Sequence, residues 1–326
     1  MKIAFFSTKP YDKEFFEKNK QTHELAFYDV SLNESSVRLA EGFDAICVFV
    51  NDIVNATILE KLAQLGIKLI ALRCAGFNNV DFEVAKKLNI SVVRVPAYSP
   101  HAVAEHAVSL IMTLNRKTHK AYNRVREGNF SLEKLIGFDL FQKTIGVIGT
   151  GKIGEAFAKI MLGFGCKVIA YDIFKNQNLI DLGVTYSSLD DVLSQSDIIS
   201  LHCPLTDKTI HLIDNEALEK MKTGVMLINT SRGALIDTQA VVEALKNKKI
   251  GYLGLDVYEQ ESNIFFNDLS EEILIDDTLA RLMTFPNVLI TSHQGFLTEE
   301  ALTQIAIITL NNISAFEEGK KSGNEV

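Results

Sequence analysis

Short apolar runs alternate with amphipathic stretches through the first hundred residues. Five of these runs predict strands, at residues 3–7, 25–28, 45–50, 69–72 and 91–95. The stretches between them have the apolar spacing of helices, clearest over residues 13–20, 56–65 and 80–88. Strands that alternate with helices indicate a parallel sheet covered on both faces. We therefore expect a five-stranded, flavodoxin-like α/β domain in this part of the chain.

A second alternation begins after two prolines, Pro96 and Pro100. One long helix is predicted from Ala102 to about Glu127, with an apolar stripe that could be buried within its own domain or across a dimer. Strands are then predicted at residues 144–148, 167–172, 198–202, 225–229, 252–257 and 288–292. The last helix, residues 299–318, follows a completed sheet, so we expect it to pack on the first domain. Residues 100–294 would then be a domain inserted between residues 1–99 and 295–326, with a hinge over a cleft.

The inserted domain carries a glycine turn, Gly-Thr-Gly-Lys-Ile-Gly at residues 149–154, between a predicted strand and a predicted helix. The next strand ends at Asp172. This order is typical of a dinucleotide site, where glycines let the backbone approach a pyrophosphate at a helix N-terminus. A carboxylate at Asp172 would bind ribose hydroxyls and repel a 2′-phosphate, and Ile173 and Phe174 offer no guanidinium. An aspartate there can also simply begin a turn. The pattern favours NAD over NADP.

Composition and charge narrow the function classes. The 326 residues are 47% apolar, which is ample for two domain cores. The four cysteines, Cys47, Cys74, Cys166 and Cys203, have neither disulfide nor metal spacing, so a reducing cytoplasm is expected. The net charge of −8 is spread along the chain and argues against a nucleic-acid partner. The chain has neither an apolar run of membrane-spanning length nor the start of a signal peptide, so no membrane partner is expected.

Isolated histidines are assigned structural roles. His101, His106 and His119 on the long predicted helix lack a supporting set of carboxylates, so we expect them to pack or face solvent rather than bind a metal. His202 ends a strand and is expected to be structural. Phe265 and Phe266 are expected to pack.

Three residues that follow predicted strands could perform chemistry beside a nicotinamide: Arg232, Glu261 and His293. Because imidazole titrates near neutrality, His293 suits proton transfer to the alkoxide formed when a ketone is reduced. Glu261 against the ring would orient it and favour its charged form. Arg232 suits a two-pronged grip on a carboxylate and would polarise an adjacent carbonyl. Together they predict a 2-oxo acid reductase, although each alone is also an ordinary strand-end or surface residue.

Five segments make the whole chain similar to the D-2-hydroxyacid dehydrogenases, and among them to the fermentative D-lactate dehydrogenases of bacteria. They are the glycine turn, Arg-Cys-Ala-Gly-Phe-Asn-Asn-Val-Asp at 73–81, Val-Pro-Ala-Tyr-Ser-Pro at 95–100, Asn-Thr-Ser-Arg-Gly-Ala at 229–234 and Asp-Val-Tyr-Glu at 256–259. The resemblance implies an α/β protein of two doubly wound parallel-sheet domains, a Rossmann NAD-binding domain inserted into a flavodoxin-like substrate domain. It also implies reduction of pyruvate to D-lactate with NADH, and a homo-oligomer, a dimer or tetramer, built on the nucleotide domains.

The resemblance further implies residue roles. Arg232 would bind the substrate carboxylate and carbonyl, and His293 would be the acid–base with Glu261 as its partner. The substrate would also meet Ala75, Gly76, Tyr98 and Phe296. The NAD contacts would be Gly149, Gly151, Lys152, Ile153, Gly154, Asp172, Cys203, Pro204, Thr230, Ser231 and Asp256, with Thr230 and Asp256 at the nicotinamide end. Many family members have Val-Pro where this chain has Cys203-Pro204.

Two other functions stay open. The same chemistry could act on a branched-chain 2-oxo acid or hydroxypyruvate, whereas a phosphorylated substrate would call for extra cations near residues 75–78. A protein that senses NADH without turnover is the alternative from a different class, because such relatives keep the three catalytic residue types.

Overall fold

The computed structural model describes all 326 residues, with the exception of the side chain of Asn263. By its backbone contacts the chain divides into two compact units. Unit 1 comprises Met1–Ser99 and Leu297–Val326, and unit 2 comprises Pro100–Phe296. The second crossing between units therefore follows Phe296, two residues beyond the position expected from the sequence.

Unit 1 contains a five-stranded parallel sheet in the order β2-β1-β3-β4-β5, the flavodoxin-like order. The central strands β3 and β4 read Ala-Ile-Cys-Val and Leu-Ile-Ala-Leu and are buried along their whole length, as expected where helices cover both faces. The strands are β1 (Lys2–Phe5), β2 (Glu24–Phe27), β3 (Ala45–Val48), β4 (Leu69–Leu72) and β5 (Ser91–Arg94), and the helices are α1 (Pro10–Asn19), α2 (Ala56–Gln64) and α3 (Phe82–Lys87).

Unit 2 contains a seven-stranded parallel sheet in the order β12-β11-β10-β9-β6-β7-β8. The strand order reverses between β6 and β9, which is the switch point where ligands of doubly wound sheets bind. The strands are β6 (Thr144–Ile148), β7 (Lys167–Tyr171), β8 (Thr185–Tyr186), β9 (Ile198–Leu201), β10 (Val225–Asn229), β11 (Ile250–Leu255) and β12 (Val288–Ile290). The helices are α4 (Pro100–Arg116), α5 (Thr118–Arg126), α6 (Lys152–Gly163), α7 (Gln177–Asp181), α8 (Leu189–Gln195), α9 (Asn215–Lys220), α10 (Thr238–Lys246) and α11 (Asp277–Thr284).

The prediction of one long helix over residues 102–127 is wrong. Lys117 adopts a left-handed backbone conformation with φ 51°, and this separates α4 from α5. The apolar stripe of α4 is buried inside unit 2, where Ala107, Leu110 and Leu114 pack with the core around β6. None of the described residues of α5 is buried. Packing against the core therefore does not favour α5 as a continuation of α4.

The last helix, α12 (Glu299–Glu317), packs on α1, β4 and β5 of unit 1, as the sequence predicts. It buries an apolar face that includes Ala301, Ile305 and Ile313. The residues after it also join the sheet, because the amide of Val326 donates to the carbonyl of Val92 at 3.1 Å. Across the described residues, none of the helices has the length and apolarity that a bilayer span requires.

Candidate active site

The glycine turn connects β6 to α6 and has no room for side chains at two of its positions. Gly149 has φ 95°, and a Cβ there would lie 2.4 Å from the backbone nitrogen of Cys203. A Cβ on Gly154 would lie 2.0 Å from the carbonyl oxygen of Gly149. Gly151 precedes α6 without a side-chain cap, and a Cβ there would meet only open space. The turn thus leaves a helix N-terminus open to an anion, as a bound pyrophosphate requires.

Asp172 follows β7 and connects that strand to the glycine turn. Its Oδ2 accepts hydrogen bonds from the amide of Thr150 at 2.5 Å and from the Thr150 hydroxyl at 3.1 Å. Its Oδ1 accepts from the amide of Phe174 at 3.1 Å. The carboxylate is only half-buried, so it keeps acceptor capacity for ribose hydroxyls. Beside the turn, Lys152 is exposed and Ile153 half-buried at the start of α6.

A buried hydroxyl lacks a partner at the end of β10. Among the described residues, Thr230 Oγ1 is buried without a hydrogen bond. The neighbouring Ser231 hydroxyl donates to the carbonyl of Cys203 at 2.7 Å, which holds the segment that contains Pro204 against the end of β10. A buried polar atom left without a partner costs free energy, so Thr230 fits a site completed by a ligand group. The residues present therefore fit a bound dinucleotide.

Cys203 and His202 are both uncharged near neutral pH. Burial raises the pKa of Cys203 to about 11 and lowers the pKa of His202 to about 3. The His202 ring lies 4.8 Å from that of Phe157, in line with the structural role expected for it.

Arg232 lies three residues beyond β10, half-buried and in an extended backbone conformation. Its Nη1 donates to the carbonyl of Ser231 at 2.7 Å, and its own carbonyl accepts from the Asn229 amide group at 2.8 Å. Within the part of the chain that the structure describes, no carboxylate forms an ion pair with Arg232. A partly desolvated guanidinium without a counter-ion is suited to bind an anionic ligand.

His293 and Glu261 form a close pair, as expected from the sequence. Nδ1 of His293 lies 2.7 Å from Oε1 of Glu261, and the two side chains are 19% and 21% exposed. Glu261 is itself oriented, because its Oε2 accepts from the amide of Tyr258 at 2.9 Å. With Nδ1 bound to the carboxylate, Nε2 is the ring nitrogen left for a reactant. His293 also has φ 54°, a left-handed conformation that is uncommon outside glycine.

The strand order explains how these side chains come together. Arg232, Glu261 and His293 follow β10, β11 and β12, which are neighbours in the sheet. The carboxyl ends of neighbouring parallel strands meet at one edge, so unit 2 presents all three residues along that edge. The ring of Phe266 lies 5.9 Å from that of His293 and covers part of it.

Asp256 has more protein partners than the sequence indicated. It is 1% exposed, and its carboxylate accepts from the Thr291 hydroxyl and from the amides of Gln294 and Gly295. Nε2 of His106 lies 3.1 Å from its Oδ1. Sequence reasoning missed His106, which was expected only to pack or face solvent, because no local pattern links residue 106 to residue 256.

The candidate residues of unit 1 lie after β4 and β5. The carbonyl of Ala75 accepts from Arg94 at 2.9 Å, and that of Gly76 accepts from the Cys74 thiol at 3.2 Å, so the loop has a defined shape. Tyr98 is half-buried in the segment after β5. Phe296, expected in the same domain, instead belongs to unit 2, where it is 7% exposed.

No group of three or more histidines, cysteines or acidic residues within the described part of the chain could hold a metal ion.

Comparison with known proteins agrees with this geometry. Residues 108–295 match the family described as D-isomer specific 2-hydroxyacid dehydrogenase, NAD binding domain. A 2-hydroxyacid dehydrogenase homolog of Haemophilus influenzae is 56% identical and aligns over 100% of this chain and 99% of its own length. D-lactate dehydrogenase of Escherichia coli is 53% identical over the full length of both chains.

Solved structures give the same result. The apo-structure of Escherichia coli D-lactate dehydrogenase superposes with a TM-score of 0.93 at 52% identity and covers 100% of both chains. Aquifex aeolicus D-lactate dehydrogenase, solved with NAD and lactic acid, has a TM-score of 0.88 at 36% identity and covers 99% of this chain and 98% of its own.

The fold and the matches define an NAD-dependent oxidoreductase with two parallel-sheet α/β domains. The chain belongs to the D-isomer specific 2-hydroxyacid dehydrogenase family. Its substrates are therefore 2-hydroxy and 2-oxo acids, and its cofactor is NAD, as the sequence predicts.

Proposed function

We propose that the chain is a D-lactate dehydrogenase that reduces pyruvate to D-lactate and regenerates NAD. The observation that carries the proposal is the oriented His293–Glu261 pair on the same sheet edge as the unpaired Arg232. Similarity to D-lactate dehydrogenases over the full chain supports pyruvate as the substrate.

In this proposal His293 moves the proton. Bound NADH supplies the hydride that C2 of pyruvate receives. As the carbonyl oxygen gains charge, protonated His293 donates its Nε2 proton to it, and neutral His293 takes the proton back in lactate oxidation. Glu261, bound at Nδ1 and fixed by the amide of Tyr258, keeps the ring in one orientation and stabilises its charged form.

Arg232 binds the substrate in this proposal. Its guanidinium presents parallel N–H donors that match the geometry of a carboxylate, and its charge stabilises negative charge developing on the adjacent carbonyl oxygen. Because one donor already binds the carbonyl of Ser231, the guanidinium is fixed before substrate arrives. Ala75, Gly76, Tyr98 and Phe296 remain the predicted contacts for the rest of the substrate.

The cofactor contacts follow the same reasoning. The pyrophosphate would bind the turn of Gly149, Gly151 and Gly154 with Lys152 and Ile153 beside it, and the ribose would bind Asp172. Cys203 and Pro204 would lie along the adenosine half, Thr230 and Asp256 would face the nicotinamide end, and Ser231 would be a further contact of the cofactor. The unsatisfied Thr230 hydroxyl and the open space at Gly151 support this placement.

We further propose a homo-oligomer built on unit 2. Large apolar side chains are exposed on α5 and on the segment after it: Tyr122, Val125, Phe130, Leu132, Ile136 and Phe141 are each at least 53% exposed. Such a concentration of exposed apolar groups marks a contact surface. If it joins two copies, Leu132→Asp should lower the mass measured by sedimentation equilibrium while far-ultraviolet circular dichroism stays the same. An unchanged mass would contradict this surface.

A reducing, cytoplasmic location is proposed from the cysteines. All four are buried, and burial raises the pKa of Cys47 to about 12 and that of Cys166 to about 11. Neutral buried thiols are compatible with a compartment where disulfides do not persist.

The decisive experiment is NADH oxidation by the purified chain with pyruvate, a branched-chain 2-oxo acid and hydroxypyruvate, followed by chiral analysis of the product. The proposal expects pyruvate to give the highest kcat/KM and D-lactate as product. Preference for another acid would support the mechanism but contradict pyruvate as the substrate. NADH binding without turnover of any acid would contradict the proposed enzyme and favour an NADH sensor.

A further inference from the structure

The backbone of residues 293–295, which includes His293, is held by the side chain and the carbonyl of one residue, Asp256. The amide of His293 donates to the backbone carbonyl of Asp256 at 2.7 Å. The amide of Gln294 donates to Oδ1 of Asp256 at 2.9 Å, and that of Gly295 donates to Oδ2 at 2.8 Å. Three consecutive backbone N–H groups therefore bind a single residue from another strand.

This clamp acts on a strained position. His293 has φ 54°, which costs free energy for a residue with a Cβ and persists only where the surroundings enforce it. The contact is tight, because a Cβ on Gly295 would lie 3.0 Å from Oδ2 of Asp256 and 3.5 Å from the His106 ring. A shift of Asp256 would therefore move the backbone of His293 directly.

Asp256 is in turn fixed by His106 of α4. Thr291 Oγ1 donates to Oδ1 of Asp256 at 2.5 Å, so the same hydroxyl must accept from Nε2 of His106, 3.0 Å away. Nε2 of His106 is also 3.1 Å from Oδ1 of Asp256 itself. Burial on its own would raise the pKa of Asp256, but the hydrogen bonds from His106 and Thr291 outweigh it and the pKa lies below its ordinary value. The carboxylate stays charged and remains a strong acceptor.

We propose that His106, through Thr291 and Asp256, is a positioning residue that holds His293 in its productive orientation. This inference rests on the proposed role of His293 in proton transfer. Two separate sets of contacts therefore orient the imidazole of His293. Glu261 fixes the ring, and the His106–Thr291–Asp256 chain fixes the backbone that carries it.

Two substitutions test the chain of contacts without touching Asp256, which is also a predicted NAD contact. His106→Leu removes the donor, and Thr291→Val removes the hydroxyl while keeping the side-chain shape. Each should lower kcat for pyruvate reduction by about 10- to 100-fold, because small misplacements of a reacting group are costly. The KM for pyruvate and the Kd for NADH should change by less than about threefold, since neither substituted side chain is itself a predicted contact of substrate or cofactor. His106→Gln and Thr291→Ser, which can restore a hydrogen bond, should recover most of the loss.

A second measurement is independent of turnover. Hydrogen–deuterium exchange, followed by mass spectrometry of peptides that cover residues 291–296, should be about three- to tenfold faster in His106→Leu than in the unsubstituted chain, as expected for weakened hydrogen bonds. His119→Leu, a histidine substitution on the neighbouring helix α5, is the matched control and should leave both exchange and kcat unchanged.

The outcomes are separable. Unchanged exchange and unchanged kcat in both His106→Leu and Thr291→Val would overturn the proposal. A loss of kcat matched by an equal rise in the Kd for NADH would also overturn it, since the effect would then pass through the cofactor. An unsubstituted chain that reduces no 2-oxo acid would contradict the proposed function, while the exchange data would still decide whether the clamp exists.

Discussion

Unit 2 contains two histidine–glutamate pairs with nearly the same local geometry. Nδ1 of His293 lies 2.7 Å from Oε1 of Glu261, and Nε2 of His211 lies 2.7 Å from Oε1 of Glu259. Both histidines have a left-handed backbone, with φ 54° and 50°. Their glutamates are only two residues apart after β11. A short distance between imidazole and carboxylate therefore does not by itself identify an acid–base pair.

The difference lies in what surrounds each pair. The second oxygen of Glu259 accepts from the Thr238 hydroxyl at 3.0 Å, and the amide of His211 donates to the carbonyl of Ala234, so this pair connects the segments that follow β9, β10 and β11. The His211 side chain is 40% exposed. His293 is instead partly covered by Phe266, keeps Nε2 available and shares a sheet edge with Arg232. Position in the fold, rather than the pair itself, separates a candidate acid–base from a structural contact.

The largest difference in kcat between the two pairs is expected when their histidines are replaced. His293→Gln should lower kcat by about 10³-fold or more, because the proton donor is lost, whereas the Kd for NADH should stay within about threefold. His211→Gln should keep kcat within about threefold. Steady-state kinetics and NADH fluorescence titration of both variants give the comparison. Equal losses in the two would mean that His293 has no special role.

Arg232→Lys should have the next largest effect. A point charge cannot reproduce the two parallel donors of a guanidinium, so KM for pyruvate should rise and kcat fall, for a loss of about 10²-fold in kcat/KM. The urea midpoint of unfolding should be unaffected, since Arg232 forms no ion pair with any of the described residues. Wild-type kinetics in this variant would place the carboxylate clamp elsewhere.

The two glutamates allow a matched test at smaller magnitude. Glu261→Gln should reduce kcat by about 10- to 100-fold, because an amide orients the ring without stabilising its charge. Glu259→Gln should leave kcat within about threefold. Steady-state kinetics of both variants give the comparison, and a loss of the same size in Glu259→Gln would remove the distinction.

The smallest expected effect is the contribution of the His211–Glu259 pair to the free energy of unfolding. The hydrogen bond with Glu259 raises the pKa of His211 above its usual 6.5. The pair therefore stabilises the folded state fully below pH 6.5, and this contribution is lost as pH rises through the folded-state pKa. His211→Asn should lower the free energy of unfolding, measured by urea denaturation, more at low than at high pH, and by less than about 1 kcal/mol because the pair is exposed. A difference that grows with pH would contradict the assignment.

The strand ends could be predicted from the sequence because each apolar run is local. The predicted runs at residues 69–72 and 225–229 coincide with β4 and β10, and Arg232, Glu261 and His293 follow three successive strands. The two-residue strand β8 was missed, since two residues carry no periodicity. The break at Lys117 was missed because its left-handed backbone has no glycine or proline to indicate it. The contact of His106 with Asp256 joins residues that are far apart in the chain, and single-sequence patterns cannot detect such pairs.

The return of α12 to unit 1 has a consequence for the order of events during synthesis. Residues 1–99 leave the ribosome before residues 100–296, but α12, which packs on α1, β4 and β5, leaves after them. Residues 100–296 complete their sheet with β12, which precedes α12 in the chain. Since nascent domains fold as units, the NAD-binding unit should fold first although it begins later in the chain. Until α12 is synthesised, unit 1 is incomplete and the apolar surface that α12 covers stays exposed. We expect chaperones to bind the nascent chain during this interval.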